Sequence, residues 1–226
     1  MGKGTGKVFN VNGDCKPGLH YMIDLNGRLE KIRDMVDQGL YFTINRARQY
    51  GKTTILRALG RFLEKDYVVI SMDFQMLGHA NFASEFAFTS TFCIELLDSV
   101  EGIPQEIQES LEALAKGEAC EGRVTLFSLF KVLSRWCGIS EKGIVLLVDE
   151  VDSAANNQVF LDFLAQLRGY YINRDRKPAF QSVILAGVYD IKNMKRKIRP
   201  EEGHRMNSPW NIAADFLVDM SFSAED

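Results

Sequence analysis

Apolar residues recur along the chain at spacings that predict alternating helices and strands. From Leu25 onward they stand three or four positions apart, at Leu29, Ile32 and Val36, with charged residues between them. This spacing predicts an amphipathic helix that Gly39 would end. Further helices are predicted by the same spacing at residues 55–63, 82–100, 105–116, 124–137 and 160–167.

Short runs rich in β-branched and aliphatic residues separate these helices. They predict strands at residues 40–44, 67–73, 144–148 and 182–187, and a final apolar segment covers residues 216–220. The run 144–148 is apolar at every position, which is typical of a strand covered on both faces. Strands that alternate with helices predict βαβ units. The expected fold is therefore α/β, a three-layer α/β/α sandwich with a mostly parallel sheet of about five strands.

The apolar faces of the helices are expected to form the core, because a helix buries such a stripe against a sheet. We therefore interpret their large side chains as structural residues and not as parts of a ligand site. The predicted core positions in two of the helices are Phe82, Phe86 and Cys93 in the first, and Phe127, Phe130, Leu133 and Trp136 in the second.

Charge and composition narrow the class of protein. The 226 residues carry a formal net charge of −3, which argues against a surface built throughout to neutralise polyphosphate, so nucleic acid is not the expected default partner. The four cysteines form no C-x-x-C pair and the three histidines stand apart, so no zinc spacing is present and reduced thiols are expected. No stretch approaches the ~20 apolar residues that span a bilayer, and we expect a cytoplasmic protein without a membrane partner.

The two ends of the chain differ from the rest. Residues 1–20 are rich in glycine and polar residues, so a flexible N-terminal segment is expected there. Residues 21–226 are assigned to one core domain. Ser223 and the acidic residues after it look like the start of a helix that does not continue, so we expect this chain to be the front part of a longer protein.

Residues 45–54, Asn-Arg-Ala-Arg-Gln-Tyr-Gly-Lys-Thr-Thr, lie between a predicted strand and a predicted helix. Backbone N–H groups at a helix N-terminus bind phosphate oxygens, and a glycine there allows close approach. The Lys52 ammonium would reach the outer phosphates and the Thr53 hydroxyl would coordinate Mg²⁺. The usual pattern is G-x-x-x-x-G-K-[ST], and Arg46 replaces its first glycine; the alternative is an ordinary strand-to-helix turn. The predicted nucleotide-binding residues are Arg48, Gln49, Tyr50, Gly51, Lys52, Thr53 and Thr54.

Asp149 and Glu150 follow the apolar run 144–148, at the end of a strand where open α/β sheets bind ligands. Asp149 would hold the magnesium, usually through water, and Glu150 would orient or deprotonate the attacking water. The alternative is that two acids simply cap a buried strand at its solvent end. The phosphate loop upstream favours the functional interpretation, so Glu150 and Lys52 are the candidate catalytic residues.

Other polar positions leave their roles open. Tyr189 and Asp190 follow the strand 182–187 and belong either to the site or to an ordinary loop. The basic residues in 192–199 would supply an arginine finger, contact nucleic acid or form a solvated face, which is favoured because no aromatic residues stand between them. Other positions with an open role are Arg174 and Arg176, and also His20 and Tyr21, which either border an adenine pocket or belong to loop and packing.

From about Phe9 to its end the chain resembles the bacterial AAA-ATPase-like family, a P-loop group of the STAND/AAA type. The resemblance is most specific at residues 41–54, at the run to Asp149 and Glu150, and at residues 208–216. It implies ATP over GTP, and a further strand between the P-loop strand and the strand that carries the acids. In this family an arginine-rich loop commonly replaces the first glycine. Relatives also carry a helical lid and sometimes a nuclease-like effector, both of which are expected to be absent here.

The sequence therefore predicts an ATP-binding and ATP-hydrolysing domain with Mg²⁺, slow in isolation, since a lid and a trans-acting arginine would be missing. One alternative is an ATP-dependent switch or scaffold with vestigial hydrolysis. Another is the motor part of a nucleic-acid-processing protein. A second copy of the chain or another protein is a possible partner in each case.

Overall fold

The structure, a computed structural model, describes residues 25–45, 52–118, 123–188 and 210–218. Its strands are β1 (Tyr41–Asn45), β2 (Val68–Asp73), β3 (Ile144–Asp149) and β4 (Ser182–Gly187). Its helices are α1 (Asn26–Asp37), α2 (Lys52–Leu63), α3 (Glu85–Ser99), α4 (Gln105–Lys116), α5 (Leu126–Ile139) and α6 (Gln158–Ile172). Short 3₁₀ turns lie at Phe74–Met76, His79–Phe82 and Val151–Ser153.

The four strands form one parallel sheet in the order β1-β4-β3-β2. The strand β4 lies between β1 and β3, as the family resemblance implies. A fifth position is marked by an isolated parallel bridge between Phe42 and Ala214, where the Ala214 N–H donates to the Tyr41 carbonyl at 2.8 Å. Phe216 stacks on Phe42 with ring centroids 5.7 Å apart. Within the described residues the predicted fifth strand is thus reduced to one bridge, and residues 219–220 of that segment lie outside them.

Helices cover both faces of the sheet, which confirms the three-layer prediction. The strand β3 shows how the layers arise, because its successive side chains point to opposite faces. Leu146 and Val148 pack into the core formed with α3, α4, α5 and α6, whereas Val145 and Leu147 pack into the core formed with α1 and α2. Every residue of β3 is buried, as its unbroken apolar run predicts.

Local signals fix several helix ends. The Ser84 hydroxyl accepts the Ala87 N–H at the start of α3, and the Thr125 hydroxyl accepts the Ser128 N–H at the start of α5. After α1 the chain turns at Gly39, whose φ of 68° lies in the region that favours glycine. None of the helices within the described ranges is both long and apolar enough to cross a membrane.

Two predicted core residues are wrong. Phe86 is 46% exposed and Phe127 is 53% exposed, while the other predicted core side chains are buried. In α3 the buried stripe begins at Phe88, and a residue two positions earlier points to the other side of a helix with 3.6 residues per turn. The Phe86 ring instead lies against Gly117 at the end of α4. Phe127 lies beside its buried stripe, under the Lys131 ammonium at 4.9 Å from the ring centroid.

Candidate functional site

The candidate site lies at the carboxyl edge of the sheet. Parallel strands all end at this edge, so β1, β3 and β4 deliver the residues that follow them to one region. Lys52 is the first residue of α2 and is only 5% exposed. Asp149 is the last residue of β3 and is 7% exposed. Burying charged side chains at such a position is costly unless they interact with other polar groups.

The first turn of α2 contacts the end of β3 directly. The Thr53 hydroxyl donates a hydrogen bond of 2.7 Å to the Oδ2 atom of Asp149, across 96 positions of the sequence. Thr54 follows on the same turn and is half-buried. The sequence predicted both Thr53 and Asp149 as site residues, and the structure brings them together. The other predicted nucleotide-binding residues, Arg48, Gln49, Tyr50 and Gly51, lie outside the described residues.

Glu150 has an unusual backbone conformation. With φ 52° and ψ 41° it lies in the left-handed helical region, and it is the one non-glycine residue with positive φ among the described residues. The conformation is held on both sides. The Glu150 N–H donates to Oδ1 of Asp149 at 2.9 Å, and the Glu150 carbonyl accepts from the Ser153 N–H at 3.1 Å and from its hydroxyl at 2.9 Å. A left-handed residue with a Cβ costs about 1–2 kcal/mol, and such strain is concentrated at functional sites.

The charges around Glu150 oppose one another. Burial raises the pKa of the Glu150 carboxyl, the Lys52 ammonium lowers it, and the carboxylates of Asp149, Asp152 and Asp73 raise it again. Asp73 ends β2 directly opposite Asp149 in the sheet register. The net effect is a raised pKa, which favours a carboxyl group that takes up a proton more readily than an ordinary glutamate.

The donor set at this edge fits a magnesium ion. Mg²⁺ takes oxygen ligands and keeps several waters, so proteins bind it with one or two side chains together with substrate phosphates. Thr53 and Asp149 supply one hydroxyl and one carboxylate, 2.7 Å apart. No group of three or more His, Cys, Asp or Glu side chains suited to a metal occurs in the described ranges, so a metal held entirely by such side chains is not seen there.

Sequence reasoning missed the residues that surround Glu150. Asp152 accepts a short hydrogen bond from the Val188 N–H, just after β4. Gly187, the last residue of β4, has no room for a side chain, because a Cβ there would lie 2.9 Å from Oδ2 of Asp152. The available signal was the position of Asp152, an acid two residues beyond a predicted catalytic acid. The space at Gly187 leaves no trace in a single sequence.

The remaining candidates divide by location. Arg174 lies at the opposite, amino edge of the sheet, where it donates to the Gly39 carbonyl at 2.8 Å and stacks over Tyr171. Arg176 is exposed and pairs with Asp175 at 3.5 Å. Neither residue belongs to the carboxyl edge. The candidates His20, Tyr21, Tyr189, Asp190 and the basic run 192–199 lie outside the described residues.

The strand order β1-β4-β3-β2 and the helices that cover both faces of the parallel sheet define the P-loop NTPase class of α/β domain. More particularly, the family model described as "AAA-like domain" matches residues 21–196, and the chain belongs to this family. It is thereby assigned to the nucleotide-binding AAA type. No curated protein matches the chain.

Among solved structures, the chain is similar to the Aeropyrum pernix ORC2 protein, solved as ADPNP-ADP complexes, with 12% sequence identity and a TM-score of 0.44. The match covers 80% of this chain and 45% of that one, so the chain spans less than half of its length.

Proposed function

We propose that the chain binds ATP with Mg²⁺ at the carboxyl edge of its sheet and hydrolyses it slowly. The observation that carries this proposal is the 2.7 Å contact between the Thr53 hydroxyl and Asp149. It joins the first turn of α2 to the end of β3, a strand that is buried along its whole length. A hydroxyl and a carboxylate in this arrangement would hold Mg²⁺, which would supply positive charge to the phosphate groups.

The phosphate groups are assigned to the loop 48–51 and the first turn of α2. The N-terminus of α2 offers unpaired N–H groups and the positive end of the helix dipole. Lys52 begins this helix and lies close enough to Glu150 to lower its pKa. The Lys52 ammonium is therefore assigned two roles. It would neutralise phosphate charge, and it favours the ionised form of the Glu150 carboxyl. The preference for ATP rests on the family resemblance alone.

Glu150 is assigned the role of orienting or deprotonating the attacking water. The left-handed backbone directs the chain away from the strand immediately after Asp149, and the hydrogen bonds to Asp149 and Ser153 hold it there. A position held against strain favours a catalytic role over a simple cap of the strand. Thr53 and Asp149 would hold Mg²⁺, which would supply charge stabilisation to the transferred phosphoryl group.

Nucleotide binding is tested by titrating ATP with and without Mg²⁺ by calorimetry. Lys52→Ala is expected to weaken binding at least 10-fold, because a buried ammonium that contacts phosphate is lost. Thr53→Ala is expected to reduce mainly the gain in affinity that Mg²⁺ provides. The matched control is Lys116→Ala, which removes an exposed lysine at the end of α4. Unchanged affinity in Lys52→Ala would place the nucleotide elsewhere.

Hydrolysis is tested by phosphate release from the wild type and from Glu150→Gln. The proposal expects slow release from the wild type and a loss on the order of 100-fold or more in the variant. Equal rates with intact ATP binding would instead favour a nucleotide-dependent switch with vestigial hydrolysis. The alternative of a nucleic-acid motor depends on the basic run 192–199, and salt-dependent DNA or RNA binding that falls when this run is neutralised would support it.

A further inference from the structure

The turn that follows Glu150 is fastened to both neighbouring strands. On one side the Ser153 hydroxyl donates to the carbonyl of Phe74, directly after β2, at 2.8 Å. On the other side the carboxylate of Asp152 accepts the N–H of Val188, directly after β4. The 3₁₀ turn Val151–Ser153 thus spans the ends of three adjacent strands, and Glu150 is the residue that leads into it.

The contact with β4 requires the absence of a side chain. A Cβ on Gly187 would lie 2.9 Å from Oδ2 and 3.1 Å from Oδ1 of Asp152, and 2.9 Å from Cγ2 of Val151. The φ of Gly187 is not positive, so the close approach of these side chains, and not backbone conformation, favours glycine here. The Asp152 carboxylate therefore occupies the space beside the end of β4 that a side chain would otherwise fill.

We propose that Asp152 is a positioning residue that holds Glu150 in its strained conformation by tying the turn to the end of β4. This inference rests on the proposed hydrolytic role of Glu150. Asp152 is two residues from Glu150, and its acceptor bond fixes the turn at a backbone N–H, which has a fixed direction. Because β4 lies between β1 and β3, this bond ties the Glu150 turn to the strand that pairs with β1.

The role of Asp152 as an acceptor, and not merely as a charge, determines the choice of variants. Asparagine keeps an oxygen that accepts the Val188 N–H, whereas alanine leaves that N–H without its partner. Since a misplacement of about 1 Å at a catalytic group costs on the order of 100-fold, loss of the bond is expected to lower kcat by roughly 10- to 100-fold. The KM for ATP and the affinity for ATP are expected to stay within about 2-fold, because the phosphates are held by other residues.

The experiment compares kcat, KM and ATP affinity for the wild type, Asp152→Ala, Asp152→Asn and Glu150→Gln. Asp175→Ala is the control, because it removes an exposed aspartate that pairs with Arg176 and not with a residue of the site. Amide exchange at Val188 is measured in the same proteins. The expected result is a selective loss of kcat with faster Val188 exchange in Asp152→Ala, and recovery of both within about 3-fold in Asp152→Asn.

Two outcomes would overturn the inference while leaving the proposed function intact. One is wild-type kcat in Asp152→Ala while Glu150→Gln is inactive. The other is equal loss in Asp152→Ala and Asp152→Asn, which would make charge and not the hydrogen bond responsible. Equal rates for the wild type and Glu150→Gln would reject the proposed function itself, and with it any catalytic group for Asp152 to position.

Discussion

Glu150 lies in a backbone conformation that glycine adopts without strain, which predicts an unusual order of stabilities at this position. In the interior of a helix, glycine is less stable than alanine by about 0.5–1 kcal/mol. At φ 52° and ψ 41° the Cβ of alanine keeps the strain and glycine removes it. We therefore expect Glu150→Gly to be more stable than Glu150→Ala.

The magnitude follows from two opposing terms. The left-handed conformation destabilises the alanine variant by about 1–2 kcal/mol, because alanine has a Cβ. The greater freedom of glycine in the unfolded chain destabilises the glycine variant by about 0.5–1 kcal/mol. The net difference is about 0–1.5 kcal/mol in favour of glycine. For a chain of 226 residues this corresponds to a rise in Tm of up to about 6 °C.

The measurement is denaturant unfolding of the two variants at one pH, with free energies of unfolding compared at equal m-values. The control pair is Glu109→Gly and Glu109→Ala, at an exposed position inside α4, where alanine is expected to be the more stable. If alanine were the more stable residue at both positions, the strain assigned to Glu150 would be refuted.

Glu150→Gln tests the effect of the Glu150 charge on stability, because it removes the charge and keeps a side chain of similar size. The folded-state pKa of the carboxyl is raised, first by burial, so the folded protein binds the proton more tightly than the unfolded chain. Stability is therefore lost as the pH rises from the ordinary glutamate pKa through the raised one. The variant lacks this loss, so its stability relative to the wild type is expected to increase with pH over that window and then level off. A difference that falls with rising pH would contradict the assigned direction.

Three further predictions concern packing and titration. Gly187→Ala is expected to lower the free energy of unfolding by about 1–3 kcal/mol, because the added methyl group overpacks the end of β4. Gly169→Ala, at a helical position with open space around it, is expected to raise the free energy of unfolding by up to about 1 kcal/mol. Chemical denaturation measures both variants, and equal effects on stability would contradict this prediction. Burial raises the pKa of Tyr67 from 10.0 to about 12, so the stability of the wild type is expected to fall as the pH rises from about 10 to about 12. Tyr67→Phe is expected to reduce this fall in Tm, measured by thermal unfolding across the same pH range. An identical fall in the two proteins would contradict the prediction. Burial raises the pKa of the Cys93 thiol to about 12, so peptide mapping after alkylation at pH 8 should find it unmodified in the folded protein and modified in denaturant.

The elements of the fold are largely predictable from local pattern. The strand 182–187 was predicted with the bounds that the structure shows, and the helices around 82–100, 105–116 and 124–137 correspond to α3, α4 and α5. Such predictions succeed because helices and strands repeat with fixed periods, so burial on one face is visible in the order of residues. The same rule misled at Phe86 and Phe127, since spacing identifies an apolar face but not the limits of what the neighbouring helices cover.

What the sequence determined by itself is the chemistry available at the site: a lysine and a threonine at a strand-to-helix junction, and two acids at the end of a buried strand. Only the tertiary structure decided that the Thr53 hydroxyl contacts Asp149, and that the backbone of Glu150 has a left-handed conformation. It also decided that the Asp152 carboxylate packs where a side chain at position 187 would lie. The contacts of Thr53 with Asp149 and of Asp152 with Gly187 join residues from different elements of the fold, and their distances depend on strand order and register. Those are set by the packing of the whole sheet between its helices, which no local stretch of sequence specifies.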